Sequence, residues 1–329
     1  MEVKGDMLSY TDEDFKIEEN LSSEVNQSIS DSLIQPGRIS IVDEYLLISD
    51  FKAGKPLHIL NLKNQNHLGS YGVKGQGPGE VATPWSFSEL TSKKFTLVDI
   101  VQKKILEYDI DTLLRFNRPV YEQKLNQNGF TQFAKVYGDT IFFDDGYKLN
   151  YRLYKSKFYD VKNSSSIKGY GEIPIIVDAE ISDIVKRDMT MAHMKSKNGF
   201  FVFVYMYCPR IEIFDYCKKQ WKTIISPKNF VPEFNKSVQK GFTVTKKTVY
   251  AYPDIALTDK YIYALYSEKR IMDHVYPKSN SIYVFDFEGN PIKKYNLDKD
   301  ISFFSVKNDS TIYATNVETN PELVVFSLY

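Results

Sequence analysis

Six short apolar runs in the sequence each end on a side chain that could bind something. The residues at these ends are Asp50, Asp99, Asp145, Tyr207, Tyr266 and Asn316. Carboxylate and amide oxygens are the ligands that Ca²⁺ prefers, about six to eight at a time. A ring of such residues would suit calcium, whereas an Asp beside a loop also caps turns through its own backbone. We predict a binding role for these positions and no cofactor, with a calcium ion left open.

Histidine is the second residue type that could carry chemistry. None of the four histidines belongs to an H-E-x-x-H motif or has a cysteine partner at zinc spacing. His193 precedes a long apolar run and is our candidate for a site near a central axis. Asp144 and Asp145 are adjacent, so in a strand they would point to opposite faces and form no acid–base pair. No G-x-S-x-G elbow is present, and we predict no catalytic residue.

A glycine-rich stretch, Tyr71 to Glu80, contains four glycines and Pro78. A phosphate-binding P-loop would need G-x-x-x-x-G-K-[ST] at the start of a helix. Here Lys74 comes before Gly75, and the residues from Val81 to Phe87 are typical of a strand. The Rossmann spacing G-x-G-x-x-G is also absent. We therefore predict that this stretch is a structural corner between two repeated units.

Large aromatic residues at or near loops form a further candidate set: Trp85, Tyr170, Tyr207, Tyr252 and Tyr266. Aromatic rings beside polar groups suit sugar or peptide ligands, but packing between neighbouring sheets is the interpretation we favour. The two cysteines, Cys208 and Cys217, would lie roughly 30 Å apart if they flank one strand. A disulfide needs Cα atoms within about 7 Å, so we predict two free and mostly buried thiols.

The composition narrows the class of protein. The chain has 329 residues, a formal net charge of zero and 15% aromatic residues. A neutral balance disfavours a nucleic-acid partner, and aromatic residues suit pleated, half-buried sheets. No apolar run reaches the roughly 18 residues of a membrane span. The first twenty residues are rich in Asp and Glu, so either the protein is cytoplasmic or a leader was removed.

One pattern recurs about every 40 to 60 residues. It consists of two short strands with alternating apolar residues, which together form a hairpin. The six copies are 45–50 with 57–61, 95–99 with 104–109, 140–145 with 151–154, 200–207 with 210–215, 261–266 with 281–286, and 311–316 with 322–327. An earlier and a later strand flank each hairpin, as 38–42 and 67–71 do in the first unit. Four antiparallel strands repeated radially make a blade of a β-propeller. The sequence therefore predicts an all-β, six-bladed propeller, although a two-sheet sandwich or a solenoid also uses short strands.

Closure of the ring follows from the chain ends. The sixth unit supplies three strands, and a missing fourth would leave an open edge. We expect the missing strand to come from residues 1–37, around Phe15-Lys16-Ile17 or Met7-Leu8-Ser9, and residues 38–329 to form the propeller within a single domain.

Two insertions interrupt the repeats. Residues 178–197 have Ile181, Ile184, Val185 and Met189 at helical spacing and predict a short helix, whereas residues 227–247 are polar and irregular.

Antiparallel order fixes which loops share a face of a propeller. With the strands of a blade named a to d from the axis outward, the d-to-a joints and the b-to-c loops emerge together. The glycine-rich joint therefore shares a face with the ends of the six b strands, and we predict that the site lies there.

The joint and the repeats together resemble a known family. The segment from Gly72 to Glu80, the strand from Tyr261 to Ser267, and the run from Val98 to Asp109 are similar to six-bladed TolB-like or NHL-like propellers. These propellers occur as secreted proteins or lipoproteins of gut bacteria. The resemblance implies export, and it implies no particular reaction because the family has no agreed catalytic set.

The sequence thus favours a non-catalytic binding propeller located outside the cytoplasm, in the periplasm or at the cell surface, with a cytoplasmic location as the alternative. Its ligand would be a glycan, a peptide or a protein. We expect a monomer with no nucleic-acid partner and no transmembrane segment. The alternative function is a propeller hydrolase or lyase that uses a metal or His193 at the axis.

Overall fold

A computed structural model describes residues 6–125, 131–144, 150–158, 167–174, 183–226, 228, 230–235, 244–273, 276–317 and 320–328. The described chain forms six sheets of four or five strands, which are the six blades of a β-propeller. Two compact units can be recognised. One comprises Met1–Glu24, Ile173–Tyr313 and Val325–Tyr329, and the other comprises Val25–Glu172 and Ala314–Val324.

Sheets are numbered here by the order of their hairpins in the chain. Sheet 1 contains Pro36–Val42, Tyr45–Asp50, Leu57–Asn61 and Asn66–Tyr71. Sheet 2 contains Pro84–Thr91, Lys94–Asp99, Lys104–Asp109 and Tyr121–Lys124. Sheet 3 contains Ala134–Tyr137, Thr140–Phe143, Tyr151–Lys157 and Lys168–Glu172. Within each of these sheets the strands are hydrogen-bonded in chain order.

The remaining sheets each include a strand from the N-terminal segment. Sheet 4 contains Ala192–Lys197, Phe200–Tyr205, Arg210–Asp215 and Gln220–Ile225, then Asp6–Ser9. Sheet 5 contains Asp254–Leu257, Tyr261–Tyr266, Ser279–Asp286 and Pro291–Ile301, then Ile17–Leu21. Sheet 6 contains Phe303–Lys307, Thr311–Asn316, Glu322–Ser327 and Ser23–Val25. The described helices are Gln27–Ser30, Ile110–Phe116 and Asp183–Met189, with 3₁₀ turns at Asp12–Asp14 and Ile271–Asp273.

All six predicted hairpins are present, and they form the second and third strands of the six sheets. Their alternation explains why they form strands, because every second side chain enters an apolar cluster. In sheet 4, Val202 and Val204 contribute to one cluster with Ile211 and Ile213 of the next strand. Sheet 5 contributes Ile262 and Ala264 to the same cluster. The prediction of a six-bladed propeller is confirmed.

The other unit has a comparable cluster between sheets 1 and 2. Leu47 and Ile59 of sheet 1 meet Leu97 and Leu106 of sheet 2. Val81, which directly follows the glycine-rich joint, is buried in this cluster. The helix Ile110–Phe116 begins where the Asp109 side chain accepts a hydrogen bond from the Thr112 N–H (2.9 Å), and it contributes two further apolar residues.

The N-terminal segment supplies the fourth strand of sheet 6, as predicted, but through other residues than expected. The closing strand of sheet 6 is Ser23–Val25, and the Asn26 N–H donates to the Leu323 carbonyl oxygen (2.9 Å). The expected donors around Met7 and Ile17 instead pair in parallel with the last strands of sheets 4 and 5. One segment therefore contributes an outer strand to three consecutive sheets.

The first insertion contains the predicted short helix, at Asp183–Met189. In the second insertion, the described residues are irregular apart from an isolated bridge between Phe234 and Val244.

Both cysteines are free, as predicted. Cys208 is buried, and burial raises the pKa of its thiol to about 12. Cys217 is exposed in the turn after Asp215, so the expectation of burial holds only for Cys208.

Candidate functional site

The glycine-rich joint lies directly against the loop between the second and third strands of sheet 1. The Lys74 N–H donates to the Gly54 carbonyl oxygen (3.2 Å), and Lys74 Nζ donates to the Phe51 carbonyl oxygen (2.7 Å). The expected grouping of joints and b-to-c loops on one face is therefore observed here.

The joint is held by side chains rather than left open for an anion. Glu80 Oε2 accepts a hydrogen bond from the Gly77 N–H (2.8 Å), and a Cβ atom at Gly75 would lie 2.0 Å from that oxygen. The Gly79 N–H donates to Glu122 Oε2 (2.6 Å). Gln102 Nε2 donates to the carbonyl oxygens of Gly75 (3.0 Å) and Glu80 (3.2 Å). Carboxylates occupy the positions that a phosphate cradle would offer, which agrees with a structural corner.

Asp50 and Asp99 occupy equivalent places at the ends of the second strands of sheets 1 and 2. Both side chains are fully buried. Asp50 accepts hydrogen bonds from the N–H groups of Ile34 (2.7 Å), Gln35 (3.1 Å), Lys52 (3.0 Å) and Ala53 (3.0 Å). Asp99 likewise accepts hydrogen bonds from the N–H groups of Ala82 (2.6 Å), Val101 (3.1 Å) and Gln102 (3.0 Å). Each carboxylate joins a b-to-c loop to the segment that enters its own sheet.

In sheet 3 the equivalent aspartate, at the end of the second strand, is Asp144. Asp144 Oδ1 accepts hydrogen bonds from the N–H groups of Gln132 (2.8 Å) and Phe133 (2.8 Å), just before the first strand. The predicted site residue Asp145 lies outside the described residues. The second strand of sheet 3 ends at Phe143, two residues before the predicted end at Asp145, so the first of the two aspartates takes the capping position.

Asp50→Asn should destabilise the protein by about 1–3 kcal/mol, because one amide oxygen cannot replace two carboxylate oxygens and buried N–H groups lose their acceptor. Burial raises the pKa of Asp50, but His58, whose Nε2 lies 3.4 Å away, and the backbone N–H groups outweigh it and hold the pKa below its usual value. Its contribution is therefore present above about pH 4 and is lost as the pH falls through the lowered pKa. Urea denaturation at several pH values, with the exposed Asp111→Asn as control, tests this. An equal change in both variants would contradict the capping role.

Tyr207 and Tyr266 lie on the two sides of the segment Tyr250 to Tyr252, which leads into the first strand of sheet 5. The rings of Tyr207 and Tyr250 are stacked with centres 6.0 Å apart, and the Tyr252 and Tyr266 ring centres are 5.3 Å apart. The Ala251 N–H donates to the Met206 carbonyl oxygen (2.7 Å), and the Ser267 N–H donates to the Ala251 carbonyl oxygen (2.8 Å). Burial raises the pKa of Tyr207 and of Tyr266, so both hydroxyls stay protonated.

His193 and Asn316 do not join that pair. His193 lies buried in the first strand of sheet 4, with Nδ1 3.9 Å from Asp254 Oδ1. Asp254 Oδ2 in turn accepts a hydrogen bond from the Phe304 N–H (3.0 Å). Asn316 ends the second strand of sheet 6 and is half-buried.

A surface groove lies beside Tyr207 and Tyr266, and it is the cavity we take as the candidate site. It has a volume of about 660 Å³ and continues into a second cavity of about 690 Å³, with which it shares Val231, Glu233 and Lys247. Phe230, Val231 and Val249 provide apolar surface. We name this feature, lined by Lys228, residues 230–235, residues 245–247, Val249 and Glu268, the insertion groove.

Two ion pairs stand in the walls of the insertion groove. Lys228 Nζ lies 3.0 Å from Glu268 Oε2, and Lys247 Nζ lies 3.7 Å from Glu233 Oε1. Glu268 Oε1 also accepts a hydrogen bond from the Tyr266 hydroxyl (2.8 Å), which ties the groove to a predicted site residue. The sequence indicated only an irregular insertion here. The run Phe230-Val231-Pro232, apolar within a polar stretch, was the available signal.

Two properties of the described part of the chain bear on what the site could hold. Among the described residues, no group of three or more His, Cys, Asp or Glu side chains has an arrangement suited to a metal ion. Within the same ranges, no helix has both the length and the apolar character needed to cross a lipid bilayer.

The family model of TolB-like six-blade propellers matches residues 14–309, which is most of the chain. The chain belongs to this TolB-like family. A comparison with curated proteins gives no match. The TolB-like assignment agrees with the six sheets and with the resemblance found in the joint.

Solved structures similar to this TolB-like propeller show the same fold at low sequence identity. A Bacteroides fragilis protein described as a candidate exported protein is 13% identical, with a TM-score of 0.60, over 97% of this chain and 98% of that chain. A DUF4221 family member from Bacteroides vulgatus is 8% identical, with a TM-score of 0.53, over 94% and 96%. Hydrazine synthase from Kuenenia stuttgartiensis is 12% identical, with a TM-score of 0.51, over 90% and 96%. At these identities the likeness concerns the fold alone.

Proposed function

We propose that this TolB-like propeller is a non-catalytic binding protein that acts outside the cytoplasm and takes an extended peptide or protein segment in the insertion groove. The observation that carries the proposal is the exposed apolar surface between two ion pairs. Val231 is 61% exposed although it lies between Phe230 and Pro232. An apolar side chain of a ligand would cover Val231, and polar groups of its backbone would meet the charged walls.

A glycan fits the insertion groove less well than a peptide. Sugar sites commonly offer accessible aromatic faces, but here Tyr207 and Tyr250 are stacked on each other, and the Phe234 ring packs edge-on against Tyr207 with centres 5.5 Å apart. The apolar lining combines Val231 and Val249 with the partly buried Phe230. Catalysis by His193 has little support, because this imidazole is only 1% exposed. The location outside the cytoplasm is supported by the description of the Bacteroides fragilis relative as a candidate exported protein.

Selection of a random peptide display library against the protein tests the groove. We expect enriched peptides with an apolar residue, and we expect Val231→Asp to weaken their binding at least tenfold because a charge replaces the apolar contact. The matched control is Val101→Asp, since Val101 is 60% exposed and lies in the loop between the second and third strands of sheet 2 rather than in the groove. Equal binding by wild type and Val231→Asp, or an equal loss in both variants, would contradict the proposal.

A further inference from the structure

An exposed surface lies at the end of the helix Ile110–Phe116, next to the glycine-rich joint, and it shares no residue with the insertion groove. Phe116 is 54% exposed, although Leu113, one turn earlier in the same helix, is fully buried. Arg115 and Arg118, which precede and follow Phe116 in the chain, are also exposed. Their guanidinium carbons lie 5.0 and 5.8 Å from the centre of the Phe116 ring. We name Arg115, Phe116, Arg118 and Val120 the Phe116 surface.

Hydrogen bonds hold the backbone of the Phe116 surface in place. Asn117 has a left-handed backbone (φ 53°), and its N–H donates to the Leu113 carbonyl oxygen (2.9 Å), which ends the helix. The side-chain oxygen of Asn117 accepts a hydrogen bond from the Gly72 N–H (2.6 Å) of the glycine-rich joint. The Val120 N–H then donates to the Glu107 carbonyl oxygen (2.8 Å). The ring and both arginines are therefore presented from a fixed piece of chain.

The two arginines of the Phe116 surface form no ion pair with any residue that the structure describes. Asp111, in the same helix, pairs with Lys93 instead (3.1 Å), and the half-buried Glu107 pairs with neither arginine. A cation in the last turn of a helix is favoured by the helix dipole, which accounts for Arg115 but not for Arg118, beyond the helix end. The surface therefore offers positive charge to a partner.

Exposed apolar side chains accompany the two charges. Val120 is 46% exposed, and Val73, which follows Gly72 in the joint, is 45% exposed. Exposed apolar residues that occur singly are normal on a protein surface. Here Phe116 and the two valines lie on stretches of chain that a hydrogen bond joins, and two arginines lie among them. Aromatic residues and Arg are the types enriched at the centres of protein–protein interfaces.

The chemistry of the Phe116 surface selects an acidic protein partner. A guanidinium beside an aromatic ring can still donate its N–H groups to a carboxylate, often through two parallel hydrogen bonds. The ring and the valines would be covered by apolar side chains of the same partner, which a free anion would not provide. We propose that the Phe116 surface binds a segment of a partner protein in which carboxylates lie beside apolar residues, independently of the insertion groove.

A fluorescein-labelled peptide of alternating glutamate and leucine is the probe, and its anisotropy is measured as the full chain is added. We expect it to bind, and to bind more weakly as the NaCl concentration rises, because salt screens exposed charges. A peptide of alternating lysine and leucine should not bind, and one of alternating glutamate and serine should bind more weakly. Each titration is repeated with Val231→Asp, in which the insertion groove no longer contributes. The result therefore does not depend on whether that groove binds peptides.

The double variant Arg115→Gln with Arg118→Gln removes both charges and changes no buried residue. We expect its dissociation constant for the glutamate–leucine peptide to rise at least tenfold, which corresponds to about 1.4 kcal/mol. Phe116→Ser should also weaken binding. Lys52→Gln with Lys55→Gln is the matched control, because both lysines are exposed and the net charge changes by the same amount.

Three results of these titrations would overturn the proposal. They are no binding of the glutamate–leucine peptide, equal binding of the lysine–leucine peptide, and an equal loss of affinity in the control pair. Phosphatidylglycerol vesicles and heparin are titrated in parallel. Binding of either in preference to the glutamate–leucine peptide would assign the Phe116 surface to a lipid or a polysaccharide and would also overturn the proposal.

Discussion

Replacing Tyr10 and Phe15 together by alanine will remove much of the stability of the unit that contains sheets 4 and 5. Both side chains are buried in its apolar cluster, although they belong to the N-terminal segment. The Tyr10 ring centre lies 5.1 Å from that of Phe285, and the Phe15 ring is stacked on Tyr283 at 5.0 Å. Truncation of one buried aromatic residue to alanine costs about 3–5 kcal/mol. Since native domains have only about 5–15 kcal/mol in total, the double variant approaches unfolding.

Thermal and urea unfolding of the double variant provides the measurement. Met7→Ala and Ile17→Ala are controls from the same segment, because both side chains are exposed and their truncation should change stability little.

Tyr10→Phe tests the Tyr10 hydroxyl alone, whose oxygen lies 2.9 Å from that of Tyr252. This variant should cost about 1–3 kcal/mol, because it leaves the buried Tyr252 hydroxyl without that partner. Deletion of residues 1–35, which also removes the closing strand, should lower the melting temperature further. A double variant as stable as the Met7→Ala control would show that the segment is not part of the folded core.

Arg210→Met should destabilise the protein by about 3–5 kcal/mol, because it leaves the charge of Glu212 buried without its partner. Glu212 is fully buried in the third strand of sheet 4 and accepts hydrogen bonds from Arg210 Nε (2.7 Å) and from the Tyr205 hydroxyl (2.6 Å). Burial lowers the pKa of Arg210, but Glu212 and Tyr205 outweigh it and hold that pKa above its usual value. The guanidinium is therefore charged in the folded protein at every accessible pH.

The double variant Arg210→Met with Glu212→Leu separates the cost of an unpaired charge from the value of the pair. Because well-packed apolar residues often replace a buried ion pair without loss, we expect the double variant to recover most of the stability. Lys197→Met breaks the exposed pair with Asp259 (3.3 Å) and serves as control, with an expected cost of about 0–1 kcal/mol. Urea denaturation measures all three variants. If the double variant were no more stable than Arg210→Met, the buried charge would not be the cause.

The hairpins could be predicted because their strands are short, largely apolar runs that are buried on both faces. The strands Phe200–Tyr205 and Arg210–Asp215, for example, have the predicted positions, with an end differing by at most two residues. The closing strand could not be located in the same way. Ser23–Val25 has three residues and none is buried, and Asp6–Ser9 is also largely exposed. Without a buried face, the sequence does not reveal which sheet a strand joins or in which direction.

The candidate site was only partly predictable, for a similar reason. Asp50 and Asp99 were identified, but their full burial depends on N–H groups distant in sequence, such as those of Ile34 and Ala82. The choice between Asp144 and Asp145 depends on where the second strand of sheet 3 ends. The insertion groove arises from irregular chain, which has no periodicity to interpret.

The two parallel additions from the N-terminal segment have a consequence for solubility. An unpaired outer strand is a template on which other chains can aggregate. Asp6–Ser9 covers Gln220–Ile225, and Ile17–Leu21 covers Pro291–Ile301, so neither of these longer strands is the last in its sheet. At the new border of sheet 5, Glu18 and Glu19 form ion pairs with Lys294 (3.4 Å) and Lys293 (3.6 Å), and charged side chains at a sheet edge disfavour pairing with another chain. We therefore expect the segment to limit self-association as well as to stabilise its unit, so that proteolytic loss of it would cause aggregation together with loss of stability.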